Sequence, residues 1–274
     1  MEKDKKNKII LSFDLEFWYN SLFLCKYLNN EVINKYPDLI KESVFPLIKL
    51  LKSKGISATF FVTGKVAEKY PQIIKEMATD HEIACHSYNH EIFRSNDYGR
   101  YFENVEKNKE IIEKIINKKV FGFRAPCFSL DQKTLHLIEI LEKLDFRYDS
   151  SLIPVRNFYS RAPFKISNNG RITEFPLNFM NLFLKKIPVS GGIYFRLIPY
   201  FIYKRIVEYQ LKKYNYFNFY GHPHEFINFI PDIKAPWWKL KLKYWGVKNS
   251  FKKLEKFIND FEFINFSNHL ENGN

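Results

Sequence analysis

"KIILSFDLEF", residues 8–17, decides how the rest of the chain is read. The apolar run predicts a strand, in which successive side chains point to opposite sides and residues two apart share one. Asp14 and Glu16 therefore emerge together at the strand's carboxyl end. Two carboxylates there are costly to bury unless a cation or a proton-transfer role stabilises them. Failing that, they are the solvent-facing end of an ordinary strand.

Working outward, residues 38–54 carry apolar positions at helical spacing and stop at Gly55. The strand "SATFFVT" (57–63) follows, then a helix from about Gly64 to Met77 and the short strand "EIAC" (82–85). A further helix is expected from about Phe102 to Asn117, then the strand "VFGFRAP" (120–126), and a helix "QKTLHLIEILEKL" capped by Asp131. Residues 152–192 break into Pro- and Asn-punctuated pieces and read as an excursion. The pattern resumes with a helix at 196–213, the strand "YFNFYGH" (216–222), and a last helix and strand near 248–266. Near-continuous apolar strands alternating with helices predict an α/β fold, a parallel sheet covered by helices. One barrel over residues 1–274 fits better than two domains.

The 274 residues are 46% hydrophobic, with 28 Phe and 17 Tyr, enough for a packed core and against disorder. The formal charge of +13 fits an anionic partner (nucleic acid, acidic lipid or a phosphate-bearing substrate) or a merely lysine-rich surface. Cys25, Cys85 and Cys127 cannot all pair within one chain and form no C-x-x-C motif, which suits a reducing compartment. The N-terminal residues read as neither a signal peptide nor a span, so the expectation is a cytoplasmic protein, soluble or peripheral.

"HEIACHSYNH" (81–90) puts His86 and His90 at a spacing that lets both imidazoles meet one ion in a helical turn or a suitable loop. Two histidines and one carboxylate with an open position suit hydrolytic zinc and other divalent ions. His81 begins the "EIAC" segment and reads as structural. "GFRAPCFSL" (122–130) sets Arg124 at a strand end, where it either holds a carboxylate or makes a rim ion pair. Pro126 fixes a rigid wall or an ordinary turn. In "FYGHPHEF" (219–226), His222 is of a residue type that titrates near neutrality and could deliver a proton to a departing amine, while His224 and Glu225 line the same rim or face water. All these pieces fall at expected carboxyl ends of strands, where barrel and open-sheet enzymes place their chemistry.

Taken in order, "SFDLEFW", "HEIACHSYNH", "FRAPCFSL", "YDSSL" and "HPHEF" resemble the successive signatures of the polysaccharide deacetylases, the NodB-like group or carbohydrate esterase family four. The resemblance covers roughly residues 8–266, and the later run "GGIYFRLIPY…YGHPHEF" is similar to a subgroup associated with bacterial exopolysaccharide assembly. It implies a distorted (β/α)7 barrel and metal-dependent removal of N-acetyl groups from an amino-sugar glycan. It further implies Asp14 as catalytic base, Arg124 as the residue that orients it, and His222 as general acid. Glu16, His86 and His90 match the ligands of one divalent ion, zinc first, with cobalt, nickel or manganese as alternatives. Asp149, in "YDSS", matches more loosely a polar residue that tunes the acid or shapes the substrate groove; Pro126, Cys127 and Glu225 complete the expected substrate wall, Cys127 through its backbone N–H at an oxyanion. The chain departs from many relatives in separating its first acids by Leu15 and in carrying Phe17 where a second acid often stands, a change that bears on metal affinity.

"KAPWWKLKLKYWGVKNSFKKLEKF" (234–257) holds three of the four tryptophans among many lysines. It reads as a loop and a core-facing helix, or as a contact with anionic membrane or a polyprenyl-linked glycan. The rival functions are a related amide or cyclic-imide hydrolase on the same barrel and a catalytically decayed carbohydrate-binding protein. A nucleic-acid binder accounts for the charge but not for the clustered histidines and acids, and none is expected as a partner.

Overall fold

The computed structural model describes residues 8–94, 97–153, 160–166, 169–182 and 185–272. Parts of two expectations, the N-terminal reading over residues 1–7 and the excursion at 154–159, 167–168 and 183–184, lie outside the described residues.

The first half runs β1 (Ile9–Leu15), α1 (Asn30–Asn34), α2 (Ile40–Ser53), β2 (Thr59–Val62), α3 (Gly64–Lys69), α4 (Pro71–Asp80), β3 (Glu82–Cys85), α5 (Tyr98–Ile116), β4 (Gly122–Phe123), α6 (Ile138–Lys143) and β5 (Tyr148–Asp149). There follow β6 (Phe164–Lys165), β7 (Thr173–Glu174), β8 (Phe179–Leu182), β9 (Lys185–Pro188), α7 (Gly192–Leu197), α8 (Tyr200–Tyr214) and β10 (Asn218–Gly221). The chain closes with α9 (Trp237–Tyr244), α10 (Val247–Asp260), β11 (Phe263–Ile264) and α11 (Phe266–Asn272). The main sheet has the order β10-β1-β2-β3-β4-β5-β7-β6, with β11 also beside β1. Among its described residues, only β6 and β7 pair antiparallel. The sheet curls into the expected distorted (β/α)7 barrel.

Alternation along β1 builds both sides of the barrel wall. Ile9, Leu11, Phe13 and Leu15 join the main core beneath the helices. Ile10 belongs to a second cluster with Phe61, Ala84, Tyr148, Phe175, Tyr216 and Phe266, which fills the lumen with α11 at its floor. The inward row Ile10, Ser12, Asp14, Glu16 thus passes from an apolar plug to acids at the carboxyl end. Between β7 and β10 the barrel is closed by side chains. Asn178 accepts from Asn218 N at 2.8 Å and donates to the Tyr216 carbonyl at 3.3 Å. Gly191, at φ 156°, bridges to Tyr220, and a Cβ there would lie 1.8 Å from the Tyr220 carbonyl oxygen, so only glycine fits.

Proline explains three differences from the expected elements. The helix from Gly64 to Met77 is two, because Pro71 opens α4 as its first residue. The helix expected at 196–213 likewise splits around Pro199 into α7 and α8. The strand expected at 120–126 pairs only over Gly122–Phe123, since the chain turns into a 3-10 helix at Pro126. Asp131 caps a turn and not the helix: its Oδ1 accepts from Lys133 N at 2.8 Å and Thr134 N at 3.2 Å, and α6 begins only at Ile138. The three cysteines are free, and no described helix is long and apolar enough to cross a membrane.

Candidate metal centre and its flanking groups

Two strand ends and a turn supply the centre. Glu16 follows β1, His86 follows β3, and His90 is returned to the same place by a turn. That turn is not helical: Ser87 and His90 both adopt φ near 60°, a conformation costing non-glycine residues about 1–3 kcal/mol each. Side chains hold it, with Ser87 Oγ accepting from Glu91 N at 3.2 Å and Asn104 Oδ1 accepting from Tyr88 N at 2.7 Å. Among the described residues, Glu16, His86 and His90 form the one cluster able to offer ligand atoms within 4.8 Å of one another.

The hydrogen bonding argues that this cluster fits a cation. His86 Nδ1 stands 2.7 Å from the carbonyl of Arg124, which can only accept, so Nδ1 carries the proton. Its Nε2 then presents a lone pair to Glu16 Oε2 at 3.7 Å, while His90 Nε2 contacts the same oxygen. Two acceptors face each other without a proton between them, an arrangement a positive ion resolves. Burial and the neighbouring His90 push the His86 imidazole down to about 3, so it is neutral, the form able to ligate a metal. Burial alone would raise the Glu16 carboxyl, but His90, then His222 and His86, hold it below the ordinary range.

Arg124 follows β4 and is wholly enclosed. It donates through Nη1 to Asp14 Oδ1 at 2.6 Å, through Nη2 to Ser150 Oγ at 3.0 Å and through Nε to the Ser150 carbonyl at 3.1 Å. Its guanidinium also lies 4.0 Å from the centre of the Phe61 ring. Asp14 and Arg124 thus rest on the lumen plug. His222, after β10, places Nε2 at 4.0 Å from Asp14 Oδ2 and 3.6 Å from Glu16 Oε1. Burial would lower its pKa, yet Glu225 above all, with Glu16 and Asp14, raises it.

The expected substrate wall is partly corrected. Glu225 is 6% exposed and faces inward: Oε2 lies 3.2 Å from His222 Nδ1 and Oε1 accepts from Arg196 Nη2 at 2.9 Å. With both oxygens engaged, it positions His222 and does not line a groove. Asp149 is fully buried and offers nothing to a substrate. It accepts from Ser151 Oγ at 2.5 Å, and that hydroxyl accepts from Ala125 N at 2.7 Å, so Asp149 supports the loop after Arg124 from behind. Pro126 is buried in the same loop. Cys127 alone is part-exposed there, with φ 55°. Burial pushes its thiol up to about 12, and the charges of Glu16 and Asp14 act on it in the same direction. His81 packs against Phe60 at a ring separation of 5.2 Å, as a structural residue should. Phe17 stacks on Tyr19 at 5.1 Å, an aromatic packing in place of a second acid.

Sequence reasoning gave no role to Arg196, Ser150 or Ser151. The "YDSS" run offered a signal for the serines, whereas nothing local marks Arg196, whose acceptors lie far along the chain.

A family profile described as "Polysaccharide deacetylase" matches residues 3–148, and one described as "Domain of unknown function (DUF3473)" matches residues 150–271. The chain belongs to the polysaccharide deacetylase family, the NodB-like carbohydrate esterases of family four. The two matches meet in β5, and β10 from the second pairs directly with β1 from the first. Over 109 residues the chain is 34% identical to the peptidoglycan deacetylase-like protein FGM2 of Gibberella zeae, covering 39% of this chain and 31% of that protein. Over 91 residues it is 34% identical to a peptidoglycan-N-acetylglucosamine deacetylase of Bacillus cereus, covering 33% of this chain and 32% of that one. It spans about a third of the length of these relatives. A Mycobacterium smegmatis structure described as a polysaccharide deacetylase superposes with TM-score 0.66 at 17% identity, covering 98% of this chain and 91% of that one. An allantoinase, PuuE, superposes with TM-score 0.61 at 14% identity, covering 95% and 88%. A Bacillus anthracis pseudoenzyme of carbohydrate esterase family four gives TM-score 0.51 at 13% identity, covering 97% and 66%. At such identities the structures establish the fold alone, and activity has to be argued from the site.

Proposed function

We propose that the chain is a metal-dependent hydrolase that removes N-acetyl groups from an amino-sugar glycan, a bacterial cell-surface or exopolysaccharide precursor. One observation carries the reading. The facing donor atoms of Glu16, His86 and His90 stand beside an arginine-held carboxylate, Asp14, and a carboxylate-held imidazole, His222, which approaches both Asp14 and Glu16. The similarity to a peptidoglycan-N-acetylglucosamine deacetylase supports the substrate class, and the "GGIYFRLIPY" to "HPHEF" run supports the exopolysaccharide association.

Glu16, His86 and His90 would hold a divalent ion, zinc first, which would supply Lewis acidity to an acetamide carbonyl and to a water nucleophile. The chain supplies the rest. Asp14, fixed by Arg124, accepts a proton from the attacking water, and the Cys127 backbone N–H supports the developing oxyanion. His222, fixed by Glu225, protonates the departing nitrogen, so that acetate and a free amino sugar leave. Each proton transfer contributes about 10²–10⁴-fold.

Elemental analysis of the native protein, followed by an assay of acetate release from N-acetylglucosamine oligomers, tests this. Stoichiometric metal and released acetate are expected. Metal-free protein that binds saccharide without turnover identifies a decayed binding protein instead, and turnover of a cyclic imide in place of the acetamide identifies the related hydrolase.

A further inference from the structure

α9 carries apolar residues on two opposite sides. Leu240 and Tyr244 pack inward on a small cluster built around Trp18, Leu24, Leu39 and Ile233. Trp238 and Leu242, four apart, share the opposite side, and Trp245, the residue that ends the helix, follows three further on. There Trp238 is 50% exposed and Trp245 47%, and Trp237 at the helix start reaches 73%. Leu22 and Phe23, on the loop after β1, extend the same exposed surface, with Phe23 edge-on to Trp238 at 6.3 Å. The helix sequence "WWKLKLKY" contains no acid. Lys239 lies 5.6 Å from the Trp238 ring centre and Lys241 5.6 Å from that of Trp245, so cations flank the apolar stripe on both sides.

This surface is tied to the catalytic groups. Arg196 Nη1 donates to the carbonyls of Lys243 and Trp245, each at 2.8 Å, while its Nη2 holds Glu225, the residue that positions His222. The loop bearing Leu22 and Phe23 departs directly from Glu16. The exposed aromatics therefore stand on the rim of the metal centre, at the carboxyl ends of the strands.

We propose that this rim, α9 with the loop after β1, docks on an anionic bilayer surface and presents the metal centre to glycan anchored in that bilayer. The choice of substrate rests on the deacetylase reading; the docking does not. Indole rings at headgroup depth, aliphatic residues beside them and lysines around the edge match such a surface in both polarity and charge. A sugar-stacking platform would pair its rings with carboxylates or amides that hydrogen-bond hydroxyls, and α9 offers none.

Flotation of the native protein at low salt with phosphatidylcholine vesicles, with and without phosphatidylglycerol, tests the docking, with tryptophan emission as a second readout. Recovery in the lipid fraction only with phosphatidylglycerol, and a blue shift, are expected. The double variant Trp238→Ser/Leu242→Ser is expected to lower partition about tenfold or more, by removing buried apolar area. Lys239→Glu/Lys241→Glu should do the same through charge. Equal recovery of native protein and both variants overturns the proposal, as does recovery independent of phosphatidylglycerol. A tryptophan response to soluble chitooligosaccharide but not to vesicles also overturns it, in favour of a sugar platform. Acetate release from a soluble oligomer, measured alongside, is expected to be equal in native and variant proteins. If the native protein releases none, the deacetylase reading fails while the flotation result stands.

Discussion

Arg124 and Asp14, 110 residues apart in the chain, meet in the lumen of the barrel as an ion pair of 2.6 Å with both side chains almost wholly buried. A buried pair contributes little net stability, because desolvation offsets the attraction, but removing one partner strands the other charge. Arg124→Gln is therefore expected to destabilise the fold by about 3–5 kcal/mol, read from urea denaturation. Asp14→Asn keeps a hydrogen-bond acceptor for Nη1 but likewise leaves the guanidinium without its counter-charge, so the expected fall in acetate release of about 10²–10⁴-fold is read on protein whose folded state is checked by the same urea denaturation. If Asp14→Asn turns over normally, the assigned base is wrong.

The metal centre predicts an order among variants. His90→Ala removes a ligand outright, so its loss of affinity for zinc should exceed the about 10–100-fold that changes in outer partners cause. Chelation should abolish acetate release, and re-addition of one equivalent of divalent ion should restore it. Calorimetric titration of the metal-free protein gives the comparison directly, and unchanged affinity in His90→Ala would remove that residue from the ligand set.

How much of this was legible beforehand depends on how local each signal is. β1 could be read in full, because a strand that lines a barrel writes its two faces alternately into the sequence: Ile9, Leu11 and Phe13 outward, Ile10, Ser12 and Asp14 inward. The clustering of His86 and His90 was legible by spacing, although the turn that brings them together uses left-handed Ser87 and His90, not a helix. Asp149 and Glu225 were expected at the substrate wall, and both are buried with protein hydrogen-bond partners. Whether a carboxylate faces a cavity or a buried hydroxyl is set by elements distant in the chain, here Ala125 through Ser151 for one and Arg196 for the other. Helix ends were misjudged where a proline interrupted an unbroken apolar period, at Pro71 and Pro199.

Glu225 is predicted to act through His222 and not on the substrate. Glu225→Gln keeps the contact with Arg196 through its amide oxygen but removes the charge beside His222 Nδ1. The expected result is a lower kcat with KM little changed, since an interaction made mainly in the transition state is weakened. His222→Ala should lower kcat further, by about 10²–10⁴-fold. A rise in KM alone for Glu225→Gln would return Glu225 to the substrate wall.

The buried acids Asp149 and Glu174 predict a pH dependence of stability away from the metal ligands. Asp149 Oδ2 and Glu174 Oε2 are both buried without a hydrogen-bonding partner, and the two carboxyls act on each other's charge, an arrangement that one shared proton relieves. Burial, and for Glu174 the adjacent Asp149, raises the pair above the ordinary carboxylate range. The unfolded chain loses these protons near about pH 4, whereas the folded pair retains one. Between the two ranges the native state binds more protons than the unfolded state, so stability falls as pH rises. Each unit of separation is worth about 1.4 kcal/mol. Glu174→Gln keeps an acceptor for Leu152 N, which now bonds Oε1 at 3.0 Å, and supplies an N–H toward Asp149 without needing the shared proton. Urea denaturation from pH 5 to pH 8 should therefore show a declining stability in the native protein and a flatter profile in Glu174→Gln, with the variant gaining on the native protein toward the alkaline end; parallel profiles would show that the two carboxyls share no proton in the fold.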